Sequence, residues 1–428
     1  MTVVTKRQLD RRILALAVPA VGALAADPLL SLVDTAFVAG LGPSALATLG
    51  VTTAIFGFAF VLFNFLAYAT TPLVARALGE GDNEEVRAVV GRAVFLALTL
   101  GVLSSALLIA FAEPLVRVMQ AGPGVIDPAV SYLRIRALAA PAVLIITAGH
   151  GAFRGLQNTR TPLMAALIAN LIHVVLDPIL IYSLGMGVAG AATASAIAQY
   201  AGAAWLWRKL RRALGPVHVG LGSSGRLASH LTAGGILTAR TLLLVLTLAL
   251  GSATAASVGT AEIAAHQVVR ETWFLTAMLI DGLAIAAQAL VAEQIGRKDA
   301  AMTGLMNGRL IWWGVVVGVL VAAGWLLGAP LLAAAFAPTP EIHELIVLAA
   351  RIAGLFAPAA AVVWVLDGIM MGRMALTALM ASTGSGLVAG ATVFFLTDTF
   401  GWGLAGVWWG MAAMIAARLV VLAALMRR

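Results

Sequence analysis

The sequence predicts an all-α polytopic membrane protein, with twelve transmembrane helices in two six-helix lobes related by a pseudo-twofold axis along the membrane normal. Three observations predict it. The first is composition: of 428 residues, 61% are hydrophobic and 11% charged, where an ordinary soluble chain has about 25% charged residues. The second is a series of apolar runs of roughly 20 residues, the length that crosses a hydrocarbon core. The third is internal repetition. GPSALATLGV from Gly42 aligns with GTAEIAAHQV from Gly259, and the register holds through the second helix, where Leu73-Val74-Ala75 matches Leu290-Val291-Ala292, Gly79 matches Gly296 and Asp82 matches Asp299. Further on, FRGLQNTR (153–160) aligns with LDGIMMGR (366–373), and GVAG (187–190) with GLAG (403–406). A period of about half the chain implies duplicated lobes. Six helices per lobe give both the same membrane orientation, hence an axis along the normal.

In order, the apolar runs are 13–40, 44–75, 91–112, 129–150, 161–184, 187–207, 228–252, 260–292, 308–336, 345–371, 375–397 and 402–426. The first follows Lys6, Arg7, Arg11 and Arg12, and its Ala23-Leu24-Ala25 resembles a signal-peptide cleavage site. Because the run continues to Leu41, it reads instead as the first membrane helix. The acidic stretch GEGDNEEVR (79–87) lacks the spacing of a calcium loop and reads as a solvated turn. RKLRRALGPVHVGLGSSGR (208–226) is the longest polar connection, with the Gly, Ser and Pro of a linker. The expected domains are an N-lobe over 1–210, a cytoplasmic linker over 211–227 and a C-lobe over 228–428, with a central cleft where the lobes meet.

Loop bases set the orientation. With the N-terminus inside, Arg76, Arg87, Arg154, Arg160, Arg208, Lys209, Arg211, Arg212, Arg297, Lys298 and Arg373 all face the cytoplasm, against Arg117, Arg134, Arg136 and Arg351 outside. The expectation is a multi-pass protein of the plasma (inner) membrane with both termini cytoplasmic. The net charge of +8 is then topological and implies no nucleic acid. The chain has no cysteine, which excludes disulfides and thiolate metal sites. Its His residues lack metal-ligand spacing, and it has neither a P-loop nor a catalytic constellation. An enzyme and an ATP-driven pump are both disfavoured, and no cofactor is expected.

Two acids interrupt the apolar runs: Asp34 in DPLLSLVDTAFVAGLG and Asp177 in NLIHVVLDPILIYSLG. Ionisable groups at membrane depth are costly, and those retained usually carry an ion, a proton or a substrate. Asp34 lies about 33 Å along its helix from Arg12, and Asp177 about 24 Å along from Thr161, at 1.5 Å per residue. Ser195, on a returning helix, falls at a similar depth, and Asn170, His173 and Asp177 share one stripe. Burial disfavours a bare carboxylate, and a second carboxylate nearby disfavours it further. The pair is therefore expected to bind protons in competition with a cationic cargo. This points to an ion-coupled membrane transporter.

The chain resembles the multidrug and toxic compound extrusion (MATE) family, in its DinF-like branch. The resemblance lies in VDTAFVAGLGPSALATLG (33–50), FNFLAYATTPLVARALGEGD (63–82), FRGLQNTRTPL (153–163), LDPILIYSLGMGVAGAA (176–192), AHQ (265–267), IDGLAIAAQALVAEQIG (280–296) and VLDGIMMG (365–372). It implies a secondary active efflux transporter that exports amphipathic organic cations in exchange for protons by alternating access, with antibiotic resistance as a consequence. Asp34, Asp177 and Ser195 match positions lining the family's cation and proton site. His173 stands where many members have Asn, and Ser195 where Thr is usual. Both changes favour protons over sodium, with Na+ at Asp34 and Asp177 as the alternative coupling ion.

Pro19 occupies the place at which family members are proposed to bend helix one, and Asp27, two turns before Asp34, extends a proton path or serves the ladder broken by Pro28. In the C-lobe, Gly251 takes the place of Asp34, Asp281 lies opposite Asn64 and Asp367 opposite Arg154, so Asp281 and Arg240 are the candidate polar site there. Asp367 itself is expected to pair with Arg373 or another loop base. Phe60, Phe63, Trp273, Phe274, Met278 and Trp364 are candidates to line an adaptable cleft. The partners implied are small-molecule organic cations and the lipid bilayer, with the chain read as a monomer. The competing function is a flippase for a lipid-linked oligosaccharide or another lipid-like substrate.

Overall fold

The computed structural model describes residues 5–221 and 224–426. The described chain forms the helices α1 (Lys6–Ala39), α2 (Pro43–Val61), α3 (Phe65–Glu80), α4 (Asn83–Ala110), α5 (Ala112–Val118), α6 (Pro123–Ala137), α7 (Ala140–Gly155), α8 (Arg160–Pro178), α9 (Gly187–Leu214), α10 (Ser224–Val258), α11 (Thr260–Gly296), α12 (Ala300–Phe336), α13 (Pro340–Gly372), α14 (Leu376–Phe400) and α15 (Gly403–Met426). One 3₁₀ turn, Leu62–Asn64, joins α2 to α3, and a π-helical turn, Ile179–Ser183, follows α8.

Among the described residues, ten helical segments are long and apolar enough to cross a membrane, and an eleventh forms if α6 and α7, which meet at a 49° bend, count as one span. The remaining expected run, 187–207, is helical within α9. Its Ala, Gly and Ser residues and the adjoining Arg208, Lys209, Arg211 and Arg212 leave it less apolar than the others. Side chains such as Leu327 (80% exposed) and Leu331 (75%) cover the outer surface of α12, a face suited to lipid rather than water.

The chain packs as two compact units, Val18–Gly235 and Met1–Ala17 with Ile236–Arg428. Both limits fall inside helices, α1 and α10. The start of α1 is tied into the second unit by Arg309, which forks onto Asp10 at 2.7 Å, and by Arg12 Nη2, 2.8 Å from Glu293.

Each unit is held by close helix crossings at glycine, and the two sets repeat each other. In the first unit a Cβ on Gly101 would meet Pro141 at 2.5 Å, one on Gly151 would meet Ala67 at 2.8 Å, and one on Gly155 would meet Val74 at 2.6 Å. In the second, Gly318 meets Pro358 at 2.7 Å, Gly368 meets Ala284 at 2.4 Å, and Gly372 meets Val291 at 3.2 Å. Small residues let membrane helices approach without a hydrophobic drive between them. The helix caps repeat as well: Asp82 accepts from Glu85 N–H, and Asp299 from Met302 N–H. These pairs correct one alignment. With Gly151 opposite Gly368 and Gly155 opposite Gly372, FRGLQNTR shifts by one helical turn, and Asp367 stands opposite His150, not Arg154.

Candidate functional site

The site is built inside the first unit from α1, α8 and α9. On α8 the spacing of His173 and Asp177 stacks them one turn apart, with His173 Nε2 3.2 Å from Asp177 Oδ1. Ser195 Oγ on α9 lies 3.0 Å from the same nitrogen. One nitrogen thus faces both groups: protonated, it donates; unprotonated, it accepts from the hydroxyl. Asp34 joins from α1, so that ligand atoms of Asp34, His173 and Asp177 all lie within 4.8 Å of one another.

Local sequence explains why the helices meet there. Pro178 has no backbone N–H to donate, and the helix continues as the π turn Ile179–Ser183. α9 presses onto that turn at Gly190, where a Cβ would stand 2.7 Å from the Leu180 carbonyl. Gly202 repeats the approach three turns on, against Ala169. Ser195 lies between these two contacts and is carried to His173. Beyond the acids, Val38, Leu49, Tyr132, Ile181, Ala191 and Ala192 form a buried apolar cluster over one end of the site.

Burial makes the arrangement demanding. Asp34 is 7% exposed and Asp177 not at all, yet Asp34 Oδ1 and both Asp177 oxygens accept no hydrogen bond among the described residues. The His173 contact lacks the alignment of one. Buried oxygens of this kind call for a proton or a cation. Besides His173, the positive charge acting on Asp34 is Arg136 of α6, which also interacts with Tyr132 and stands 5.4 Å over the Phe56 ring. Tyr132 was not singled out from sequence, and Arg136 was read only as an outward-facing loop base. Only the fold brings their helix to the site.

The remaining residues separate. Asn170 Nδ2 donates to the Ala26 carbonyl at 2.9 Å, tying α8 to the backbone of α1. Pro19 lies half-buried within α1, which is assigned as one helix across it. The Asp27 side chain falls outside the described residues. In the second unit Arg240 Nη2 binds Asp367 Oδ2 at 2.5 Å, and Arg418 binds the same oxygen. The partners of Asp367 are therefore membrane-helix bases rather than Arg373, because α10 and α15 pack beside it. Asp281 is partly buried on α11. Among the aromatic candidates, Phe60 packs on Phe63 and Trp273 on both Phe274 and Trp364.

A buried acid cluster in a repeated helical membrane protein is a candidate ion or substrate site, and comparison with known proteins gives the family. The MatE family model matches residues 19–179 and again 236–396, one match per repeat. Protein DETOXIFICATION 44, chloroplastic, of Arabidopsis thaliana is 33% identical over 96% of this chain and 81% of its own length. DNA damage-inducible protein F of Escherichia coli is 28% identical over 98% and 92%. A Vibrio cholerae MATE transporter in its bent form superposes with a TM-score of 0.90 at 20% identity, covering 98% of this chain and 97% of that one. The chain belongs to the MATE family. It is a multi-pass membrane transporter of the multidrug and toxin efflux class, and not an enzyme.

Proposed function

We propose that this protein exports amphipathic organic cations in exchange for protons, by alternating access across the plasma (inner) membrane, with both termini cytoplasmic. Asp34 and Asp177, with His173 and Ser195 between them, are the groups that take either protons or cargo. The observation that carries this reading is the cluster of three buried carboxylate oxygens without donors among the described residues. Charge on the pair attracts a cation from the inside. Protonation from a more acidic outside removes that attraction and frees the cargo. Exchange results when only the loaded and protonated forms change access. Sodium is the weaker alternative, because a hard cation favours an oxygen shell and an imidazole nitrogen occupies one position.

The test is efflux of ethidium or a fluoroquinolone from pump-deficient cells. Wild type should pump and both Asp34→Asn and Asp177→Asn should not. Collapse of the proton gradient should stop wild-type efflux, and collapse of the sodium gradient should leave it running. Unaltered pumping by both variants would sink the proposal. Translocation of a lipid-linked oligosaccharide without cation efflux would favour the flippase.

A further inference from the structure

A second buried charge cluster stands apart from the acid site. Arg240 on α10 and Arg418 on α15 are 7% and 1% exposed, and Asp367 on α13 is 5% exposed. Both guanidiniums bind the same carboxylate oxygen, Oδ2. Asp367 Oδ1 is left without a donor, and the Nε–H groups of Arg240 and Arg418 without acceptors, among the described residues. Ser382, fully buried on α14, has an unpartnered hydroxyl. It lies one turn before Gly386, where a Cβ would stand 2.8 Å from Arg418 Cγ. The helix stripe through Ser382, Gly386 and Gly390 therefore faces Arg418 and Met414 of α15.

Charge does not balance here. Arginine stays protonated in proteins, and the charged groups acting on Arg418 are Asp367 and Arg240. Among the described residues two cations share one anion, leaving one excess positive charge in a buried cluster. The Trp364 ring, 5.8 Å from Arg418 Cζ, eases the loss of solvent but supplies no countercharge. An uncompensated buried charge is strongly unfavourable, and a counter-ion is the direct remedy.

We propose that the Arg240–Asp367–Arg418 cluster binds one small monovalent anion of the halide kind. The donors it draws on are those the network leaves over: the two Nε–H groups and the Ser382 hydroxyl. Close packing of α14 on α15 at Gly386 and Gly390 selects a compact ion over a bulky one. Bound anion neutralises the cluster and stabilises the second unit. This inference does not depend on which cargo or coupling ion the first unit uses.

The experiment follows thermal unfolding of the purified full-length protein in detergent. Chloride or bromide replaces gluconate at constant ionic strength and pH. Wild-type Tm should rise with halide concentration, as for any ligand that binds only the folded state. Arg240→Gln leaves a neutral Arg418–Asp367 pair, so its Tm should not respond, with halide affinity lowered about tenfold or more. Asp367→Asn keeps the shape, adds a positive charge and should steepen the response. A wild-type Tm indifferent to halide would overturn the proposal. So would an undiminished response in Arg240→Gln or, should that variant not fold, a flat response in Asp367→Asn.

Discussion

Where the first unit places Asp34, His173, Asp177 and Ser195, the repeat places Gly251, Gly390, Phe394 and Met411 in the second. The helices around these positions cross alike, yet the contents differ. Phe394 fills the second unit's space: a Cβ on Gly251 would stand 3.2 Å from its ring, and one on Gly410 2.3 Å. The second unit's buried charge lies instead at Asp367, opposite His150 of the first, and is surrounded by arginines rather than left open. Glycine crossings depend on backbone approach and survive any change of filling that respects them. A polar site depends on a few side chains, so two copies of one scaffold can hold opposite charge.

The sharpest way to break that comparison is to remove the acids. Asp34→Asn should reduce proton-driven cation efflux to the background of pump-free cells, and remove the acceleration that wild type shows as the outside medium is acidified. Whole-cell fluorescence measures both. Residual, pH-dependent efflux would mean that the second unit couples ions as well.

Next in size is loss of the second unit's carboxylate. Asp367→Ala leaves Arg240 and Arg418 buried and unpaired, with an expected destabilisation of about 3–5 kcal/mol, read as a drop in Tm. Removing His150, its counterpart in the repeat, should cost less, since His150 Nε2 has no hydrogen-bond partner among the described residues.

The shared scaffold is tested by overpacking. Gly151→Val and Gly368→Val should destabilise to a similar degree, by about 1–3 kcal/mol each, since each drives a side chain into the facing backbone at Ala67 or Ala284. Unequal effects would show that the crossings are not equivalent. The smallest effect is expected at Gly324 of α12, whose Cβ would meet nothing within 4 Å. Gly324→Ala should stabilise by about 0.5–1 kcal/mol, the cost of glycine's extra freedom in a helix, visible as a modest rise in Tm.

Much of this was legible without coordinates. Apolar runs, loop bases and the Gly42/Gly259 repeat gave the helical membrane class. Asp34, His173 and Asp177 stood out as costly groups at membrane depth, and their grouping follows from helical period and direction. Tyr132 and Arg136 were not legible, because nothing local marks a Tyr and an Arg on α6 as neighbours of an acid on α1. The pairing of Asp367 with Arg240 and Arg418 was also missed. Near a helix end, a loop base looked nearer in sequence than two helices that arrive from elsewhere in the fold.

The chain by itself determined what is repeated along it: where helices run, which face of α8 carries Asn170, His173 and Asp177, and that two halves share a pattern. Helical period and solvent preference act locally, so residue order is enough to specify them. Only the tertiary structure decided which polar atoms stay unpaired among the described residues, such as Asp34 Oδ1 and both Asp177 oxygens in one unit and the Arg240 and Arg418 Nε–H groups in the other. Hydrogen-bond satisfaction is set by the groups that packing brings within about 3 Å, and those come from distant parts of the chain.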